Sequence, residues 1–313
     1  MLGRTANGLY WMYRYLERAE NISRLIETGQ RIALTRLQAS DGEWTPMLQT
    51  AGSYAGYCAH HDSVTRTEAI DWLLRSADNP SSVLSSIAAA RQNARMVRTA
   101  LTHEVWEAVN SAYLTAKEML ARRPAERDLP GVMNEIRRRA ALVRGTTDGT
   151  LLRNEIYDFA RIGTFLERAD NTARILDVKY YVLLPSVRSV GSSIDNVQWE
   201  TILRSVSARG GFRMEYGNQY DPRDIAHFLI LDKRMPRSLA FCLAKIRTNL
   251  GYLSSTHGAR SESWHLADAT DRRFMTHDID AIFDFGLHEF VEEVIGQIAG
   301  LGRQIEIDYR FYE

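Results

Sequence analysis

Two copies of one charged motif carry the side chains of this sequence that are best suited to ionic or acid–base chemistry. The motif is Leu-Glu-Arg-Ala followed by an acidic residue and Asn, and it begins at Leu16 and again at Leu166. Its polar members in the first copy, the first ladder, are Glu17, Arg18, Glu20, Asn21 and Arg24. At an offset of 150 residues the second ladder consists of Glu167, Arg168, Asp170, Asn171 and Arg174.

The spacing within each copy places the ladder along one side of a helix. Glu17, Asn21 and Arg24 follow one another at i, i+4 and i+7, and residues so spaced stack along a helix surface. Glu20 and Arg24 form an i, i+4 pair, which contributes only about 0.3–0.5 kcal/mol when it is exposed to solvent. A solvated charged face is therefore one interpretation, and a face turned towards a groove or the protein interior is the other.

Two features favour the inward-facing alternative. The ladder recurs down to its asparagine, which a generic charged face does not need, and Tyr10 and Tyr13 lie on the same helix face. A buried charge must be paired with an opposite charge. Three arginines with the matching spacing of i, i+4 and i+7 could supply that opposite charge, and we call them the basic row: Arg91, Arg95 and Arg98. We therefore predict that this row reaches the glutamates of the first ladder.

A doubled ladder of this kind is compatible with three functions. Its arginines could hold carboxylate groups of a peptide, an intermediate or a partner helix through paired hydrogen bonds. Its glutamates could instead act as general bases or metal ligands in the formation or cleavage of amide bonds, with Glu17 and Glu167 brought together by an approximate two-fold axis. The third alternative is a scaffold in which both ladders are structural ion pairs. The sequence assigns no residue a catalytic role.

Metal-ligating residue types occur towards the C-terminal end, but their pattern is weak. Asp280, Asp284 and His288 are spaced i, i+4 and i+8, as residues on one helix face would be. Acidic residues near a helix start also stabilise the helix dipole, which explains them without a metal. No metal site is assigned, and these three residues are kept as weak candidates. Since the chain has no phosphate-binding loop and no dinucleotide-binding glycine motif, we expect no cofactor.

Composition limits the class of protein. Lys and Arg together number 39 in 313 residues, as do Asp and Glu, so the net charge does not favour binding to nucleic acid or to an anionic membrane. No apolar run approaches the ~20 residues that span a membrane. We therefore expect a cytoplasmic protein, without a signal peptide, whose two distant cysteines are reduced. A homo-oligomer is compatible with the sequence.

Helical periodicity accounts for most of the chain. The predicted long helices span residues 5–38, 91–119, 153–184 and 280–303. Residues 146–150 are predicted to form a linker, residues 208–222 a loop, and the tail over residues 304–312 a helix. Segments outside the ladders recur as well, such as Trp44-Thr-Pro-Met-Leu, which returns as Trp199-Glu-Thr-Ile-Leu.

This pattern predicts an all-α fold made of two tandem antiparallel helical bundles related by a pseudo-two-fold axis. The repeats are predicted to span residues 1–145 and 146–313 and to pack as one globular unit.

Together these features resemble a known family. The tandem Leu-Glu-Arg-Ala-Glu/Asp-Asn follows Tyr10-Trp11 in the first copy and runs on to Arg174-Ile-Leu-Asp177 in the second, and this pattern resembles the Alpha-E family, an α-helical domain with an ER motif. Supporting matches at residues 79–82, 90–95 and 147–150 extend the resemblance over nearly the whole chain. One departure is Tyr13, where the family pattern tends to have a small residue such as Gly163. The family's ER motif falls on Glu17, Arg18, Glu167 and Arg168.

The resemblance also implies a functional context. Alpha-E proteins tend to be encoded beside circularly permuted ATP-grasp ligases and transglutaminase-like proteins. The implied function is that of a helical binding or accessory component in a bacterial peptide synthesis or modification system, with those proteins as partners and a peptide or carboxylate as a ligand.

Overall fold

The computed structural model describes residues 1–35, 44–182 and 193–312, and every regular element within these ranges is a helix. In chain order the helices are α1 (Gly3–Thr35), α2 (Trp44–Thr50), α3 (Tyr54–Cys58), α4 (Arg66–Leu74), α5 (Val83–Met96), α6 (His103–Met119), α7 (Leu129–Thr150), α8 (Glu155–Val182), α9 (Ser193–Ser205), α10 (Arg209–Tyr216), α11 (Pro222–Ile230), α12 (Leu239–His257), α13 (Glu262–Thr276), α14 (Ile279–Phe285) and α15 (Leu287–Asp308). The expected all-α fold is therefore confirmed for the described residues. None of the described helices is sufficiently long and apolar to cross a membrane.

The chain forms two compact units. Unit 1 contains residues 1–164 and the segment from Tyr309 onward, and unit 2 contains residues 165–308. The limits of the units are defined by contacts between residues in the structure. The limits of the predicted repeats, residues 1–145 and 146–313, are defined by sequence similarity instead. The repeat limits and the pseudo-two-fold axis therefore stay predictions.

The core of unit 1 surrounds α1, because α5 and α7 both pack against this helix. Ala90 and Ala94 of α5 are fully buried, and their small side chains allow the helices to approach closely. They belong to an apolar cluster with Met12, Tyr13, Leu16, Val105, Val109, Val143, Leu151 and Ala160. Most of the surface of α1 is covered by this packing, so its polar side chains also lie at helix contacts.

The core of unit 2 is organised by α12, α13 and α15, which pack in that order. Their buried residues recur with the spacing of helix faces and include Leu243, Ile246, Leu250, Trp264, Ala267, Val291, Val294 and Ile298. Ser238 caps α12 by accepting a hydrogen bond from the backbone N–H of Phe241 at 3.0 Å. Ser82 caps α5 of unit 1 in the same way, with Ser85 as the donor at 3.2 Å. Each of these serines follows a proline by two residues, Pro80 in unit 1 and Pro236 in unit 2, so similar sequence has the same local structure in both units.

The predicted linker at residues 146–150 is wrong, because α7 continues through it to Thr150. The Oγ1 atoms of Thr146, Thr147 and Thr150 each donate to the carbonyl group four residues earlier. The hydroxyl group of Tyr13 also lies 2.5 Å from that of Thr147 and ties this turn of α7 to α1. Tertiary contact and local hydrogen bonds therefore keep residues with turn propensity in a helix.

Other predicted bounds differ from the structure for local reasons. The predicted helix over residues 91–119 is divided, since Thr102 caps a new helix with its side chain and a 3₁₀ turn, Arg98–Ala100, precedes it. Residues 208–222, predicted as a loop, contain α10, which ends at Gly217 with φ +77. The predicted helix over residues 280–303 breaks at Gly286, whose φ of +111 suits glycine. The tail was predicted correctly as helix as far as Asp308.

Close helix packing in unit 1 makes Gly163 of α8 sensitive to substitution. A Cβ atom at this position would meet the backbone carbonyl oxygen of Tyr10 far inside van der Waals contact. Gly163→Ala is therefore expected to destabilise the protein by about 3 kcal/mol, the upper end of the range for overpacking. Gly149→Ala is the matched control in α7, because no atom lies within 4 Å of its added Cβ. Urea denaturation of both variants checks this prediction, and equal free energies of unfolding would contradict it.

Asp158 of α8 makes the stability of the protein depend on pH. Its side chain is buried, and burial together with the charge of Glu155 raises its pKa from 3.8 to about 7. Between about pH 4 and pH 7 the folded state keeps a proton that the unfolded state has lost, so stability falls as the pH rises through this window. Asp158→Asn, which is neutral throughout, is expected to match the wild type at pH 4 and to unfold at a higher temperature at pH 8. Thermal unfolding of both proteins across this range tests the prediction, and a variant that is less stable at pH 8 would refute it.

Candidate functional site

The first ladder lies inside unit 1 although its side chains are charged or polar. Glu20 is fully buried, Glu17 is 2% exposed and Asn21 is 3% exposed. Tyr10 and Tyr13, which share this face of α1, are also buried. Burial raises the pKa of the Tyr13 hydroxyl group well above its ordinary value, so this tyrosine is neutral at physiological pH. The ladder therefore faces the interior of unit 1 and not bulk solvent.

The Glu20 carboxylate is held by two guanidinium groups, one on each oxygen atom. Arg24 donates to Oε1 from Nη2 at 2.6 Å and from Nε at 3.2 Å. Arg144 of α7 donates to Oε2 from Nη1, and the same Nη1 lies 3.7 Å from Oε2 of Glu17. Because an unpaired buried carboxylate costs several kcal/mol, these contacts are a condition for burying the ladder.

A second ion pair continues the same seam between α1 and α7. Glu27, seven residues after Glu20, accepts hydrogen bonds from Arg31 at 2.9 Å and from Arg137. Burial acts to raise the pKa of Glu27, but the hydrogen bonds from Arg31 and Arg137 outweigh it and hold the pKa below its ordinary value. Arg137 precedes Arg144 by seven residues, so the two helices run antiparallel along two matched pairs.

The arginines of α7 take the role that the sequence pattern assigned to Arg91, Arg95 and Arg98. Arg91 donates instead to Oδ1 of Asn110 at 2.8 Å and lies over the ring of Tyr113. The basic row therefore does not supply the partner of Glu20, and the prediction of that contact is wrong.

The other two members of the basic row lie on the surface. Arg98 lies over the ring of Trp106, with 4.8 Å between the guanidinium carbon and the ring centre, and Arg95 is exposed. One pattern in the sequence does indicate the observed partners. Glu20 and Glu27 of α1 are seven residues apart, and so are Arg137 and Arg144 of α7.

Arg18, the second residue of the first motif, is half-buried, and its guanidinium carbon lies 5.5 Å from the ring centre of Tyr15. Its counterpart Arg168 in unit 2 is 8% exposed and donates to the carbonyl oxygen of Pro236 at 3.3 Å. The aromatic contact recurs as well, since the guanidinium carbon of Arg168 lies 5.3 Å from the ring centre of Phe165. Both motif arginines therefore pack on the aromatic residue three positions earlier.

The second ladder is less buried than the first. Glu167 is 6% exposed, and Nε of Arg174 donates to Oδ2 of Asp170 at 2.7 Å. The side chains of Arg174 and Asp170 are 37% and 21% exposed, against 17% and 0% for Arg24 and Glu20. The amide nitrogen of Asn171 is buried and has no hydrogen-bond partner among the described residues.

His288 pairs with the last acid of the second motif. Its Nδ1 atom lies 2.6 Å from Oδ1 of Asp177, and its Nε2 atom lies 3.5 Å from Glu292. Asp177 corresponds to Glu27 of the first copy, so His288 of α15 occupies the role of Arg137 of α7. Seven residues after His288 stands Ile295, where α7 has Arg144. The second ladder therefore has no counterpart of Arg144 at that position of α15.

The weak metal candidates are not brought together. Gly286 ends α14, so Asp280 and Asp284 belong to a different helix from His288. Asp280 forms an ion pair with Arg223, and Asp284 is exposed. Within the part of the chain that the structure describes, no group of three or more His, Cys, Asp or Glu side chains is arranged to hold a metal ion.

These contacts decide what the ladders can do chemically. Both oxygen atoms of Glu20 accept hydrogen bonds from guanidinium groups, which favours a role in orienting arginines. A guanidinium group oriented by a carboxylate can bind a further carboxylate or phosphate in its plane. The fold and the site thus define an all-helical protein organised around buried acid–guanidinium pairs.

Comparison with known proteins agrees with this description. Residues 1–309 match the Alpha-E family, described as a predicted alpha-helical domain with a conserved ER motif. Because the match covers nearly the whole chain, the protein belongs to the Alpha-E family, and the resemblance seen in the sequence is confirmed.

Curated relatives occur in mycobacteria. The chain is 23% identical over 316 residues to Uncharacterized protein Rv2567 of Mycobacterium tuberculosis and to Uncharacterized protein Mb2597 of Mycobacterium bovis. Each match covers 94% of this chain and 35% of the relative, so the chain spans about a third of the length of these relatives. No solved structure matches the chain.

The pairing of Glu20 predicts a large loss of stability on its removal. Glu20→Ala leaves Arg24 and Arg144 without the carboxylate that they share and should destabilise the protein by roughly 3–5 kcal/mol. Glu107→Ala is the control, because Glu107 pairs with His103 on the surface and its side chain is 64% exposed, and its effect should stay within about 0.5 kcal/mol. Chemical denaturation measures both, and a small effect of Glu20→Ala would show that the buried pair contributes little.

Proposed function

We propose that this protein is the helical binding component of a bacterial peptide synthesis or modification system, with an ATP-grasp-type ligase and a transglutaminase-like protein as partners. Membership of the Alpha-E family supports the proposal, because the sequence resemblance implies that genomic context. The relatives support it too. In them the matched region is 35% of a longer chain, so a helical region of this kind occurs covalently joined to further sequence.

The observation that carries the proposal is the way acids hold arginine side chains at the edges of the ladders. The side chains of Arg24, Arg144 and Arg174 are 17%, 29% and 37% exposed, and each is bonded to an acid that is more buried. An arginine in this position keeps a fixed orientation while part of its side chain reaches solvent. Such an arginine loses little conformational freedom when it binds a carboxylate.

In this proposal the two repeats, residues 1–145 and 146–313, form tandem bundles related by a pseudo-two-fold axis, and each contributes one ladder. The first ladder is buried and doubly paired, so it acts mainly in holding α1 to α7. The second ladder is the more exposed of the two, and Arg174 is its most accessible described guanidinium group. We therefore assign recognition of a peptide carboxylate or of an acidic partner segment to Arg174.

Co-purification with the ATP-grasp-type ligase from the same genome tests the proposal, with and without ATP. The variant is Arg174→Gln, which removes the charge and keeps a polar side chain with an N–H donor. Arg204→Gln is a matched control in the same unit, because Arg204 also forms an i, i+4 pair and its side chain is 35% exposed. We expect Arg174→Gln to weaken the association by at least about tenfold, as loss of a charge-assisted contact does, and Arg204→Gln to leave it unchanged.

The outcomes separate the alternatives. If the ligase does not associate with the wild-type protein in either nucleotide state, the proposed partnership is wrong. If both variants associate as the wild type does, Arg174 does not bind an acidic segment of the ligase, and that part of the assignment is wrong. Circular dichroism of both variants confirms that each remains folded.

A further inference from the structure

A cleft in unit 2, between the end of α12 and the start of α13, is lined by no residue of either ladder. Its volume is about 470 Å³, which is sufficient for a small organic ligand. The lining residues that could contact a ligand include Arg247, Thr248, Gly251, Ser255, Arg260 and Trp264. We call this space the α12–α13 cleft.

Trp264 provides the first indication of a ligand. Only 9% of the residue is exposed, and its backbone N–H bonds to Ser261. Its indole Nε1 bonds to no described residue and is not closed off from solvent, so this N–H group opens into the cleft. Nε1 lies beside Gly251, since a Cβ atom on that glycine would be 3.4 Å away from it. Both residues line the cleft, so this N–H group is available to a molecule inside it.

Arg260 provides the second indication. Its guanidinium carbon lies 4.0 Å from the centre of the Trp264 ring, and this stacking orients the group at the mouth of the cleft. Among the described residues Arg260 forms no ion pair. Arg260 is exposed, and no described acid compensates its charge, so its guanidinium group and the indole N–H of Trp264 are two donors on the same wall of the cleft.

Arg247 lies on the opposite helix and is already engaged. Its Nε atom is 2.7 Å from Asp268 and its Nη1 atom is 3.2 Å from Asp271, and Asp268 also pairs with Arg272. These two acids and two arginines balance one another in charge. The local positive charge of the cleft therefore comes from Arg260, while Arg247, with a side chain 40% exposed, adds a polar wall.

The hydroxyl groups of the cleft offer acceptors. Thr248 Oγ1 donates to the carbonyl oxygen of Ala244 at 2.7 Å, and Ser255 Oγ donates to that of Gly251 at 3.1 Å. Their protons are thus directed to the helix, and their lone pairs can accept from a ligand. At the start of α13 the backbone N–H of Ser263 already donates to Asp308 at 2.7 Å, and that of Trp264 donates to Oγ of Ser261 at 3.3 Å.

We infer that the α12–α13 cleft binds a small oxyanion that also carries N–H or O–H donors, such as a carboxylate next to a peptide amide, or a phosphate. The oxyanion accepts hydrogen bonds from Arg260 and from the indole N–H of Trp264, and the donors of the ligand face the hydroxyl oxygens of α12. This inference does not depend on the proposed partnership with a ligase, and either can fail alone.

The indole N–H resonance of Trp264 in a ¹⁵N-labelled full-length chain reports binding directly. The spectrum of Trp264→Phe assigns it among the six tryptophans. Three probes are titrated separately: inorganic phosphate, N-acetyl-Gly-Ala with a free carboxylate, and the same dipeptide as its C-terminal amide. We expect a saturable shift of the Trp264 resonance with phosphate, with the free carboxylate or with both, and none with the amide.

Two variants localise the effect. Arg260→Gln removes the charge, and Gly251→Ala places a methyl group against Nε1 without another contact within 4 Å. Each should weaken binding at least about tenfold. Gly296→Ala is the matched control, since this glycine also lies inside a helix of unit 2 and its added Cβ meets nothing within 4 Å. It should bind as the wild type does.

Each result of the titrations either supports or overturns an oxyanion site in the α12–α13 cleft. Saturation with phosphate alone, or with the carboxylate alone, supports the oxyanion site and identifies its source. No saturable shift with either probe overturns the inference, and so does equal binding of the dipeptide amide. Wild-type binding by both Arg260→Gln and Gly251→Ala would place any oxyanion outside the cleft and overturn it as well.

Discussion

The shared carboxylate of Glu20 is the interaction on which unit 1 depends. A fully buried acid must be compensated by opposite charge, and Arg24 and Arg144 each bond one of its oxygen atoms. Since Arg144 belongs to α7, the requirement also determines where α7 lies, and Glu27 with Arg137 repeats the constraint two turns away. Electrostatic pairing, with apolar packing around it, thus selects the antiparallel arrangement of the two helices.

The two ladders share a motif but differ in what surrounds them. In unit 2 the position that corresponds to Arg137 is taken by His288, and seven residues later Ile295 stands in place of an arginine. The acid and arginine of the second ladder are accordingly more exposed. This difference in compensation is consistent with a structural role for the first copy and supports our proposal that the second copy takes part in recognition, although the motif residues themselves are nearly identical.

A second correspondence emerges only from the contacts. Arg91 donates to Asn110 and stacks on Tyr113. Arg247, which follows Arg91 by 156 positions, forms ion pairs with the two residues that follow Asn110 and Tyr113 by 158 positions. Those residues are Asp268 and Asp271. The arginine of unit 1 therefore has neutral partners, whereas the arginine of unit 2 has two acidic ones. In each unit the arginine bridges two successive helices, α5 and α6 in unit 1 and α12 and α13 in unit 2, whereas its partners differ. The α12–α13 cleft is beside this bridge.

The sequence by itself determined the helical class, the family, the doubled motif and the two long helices that carry it, α1 and α8, because helical periodicity and short-range spacing are local properties. It could not determine that residues 146–150 stay helical, since threonine side chains and contact with Tyr13 decide between turn and helix there. It also assigned the partner of Glu20 to the wrong arginines. Only the tertiary structure decided that contact. All of these arginines carry the same charge, so charge alone does not distinguish Arg144, more than a hundred residues from Glu20, from the predicted row. The packing of α7 against α1 determines which guanidinium group reaches the carboxylate.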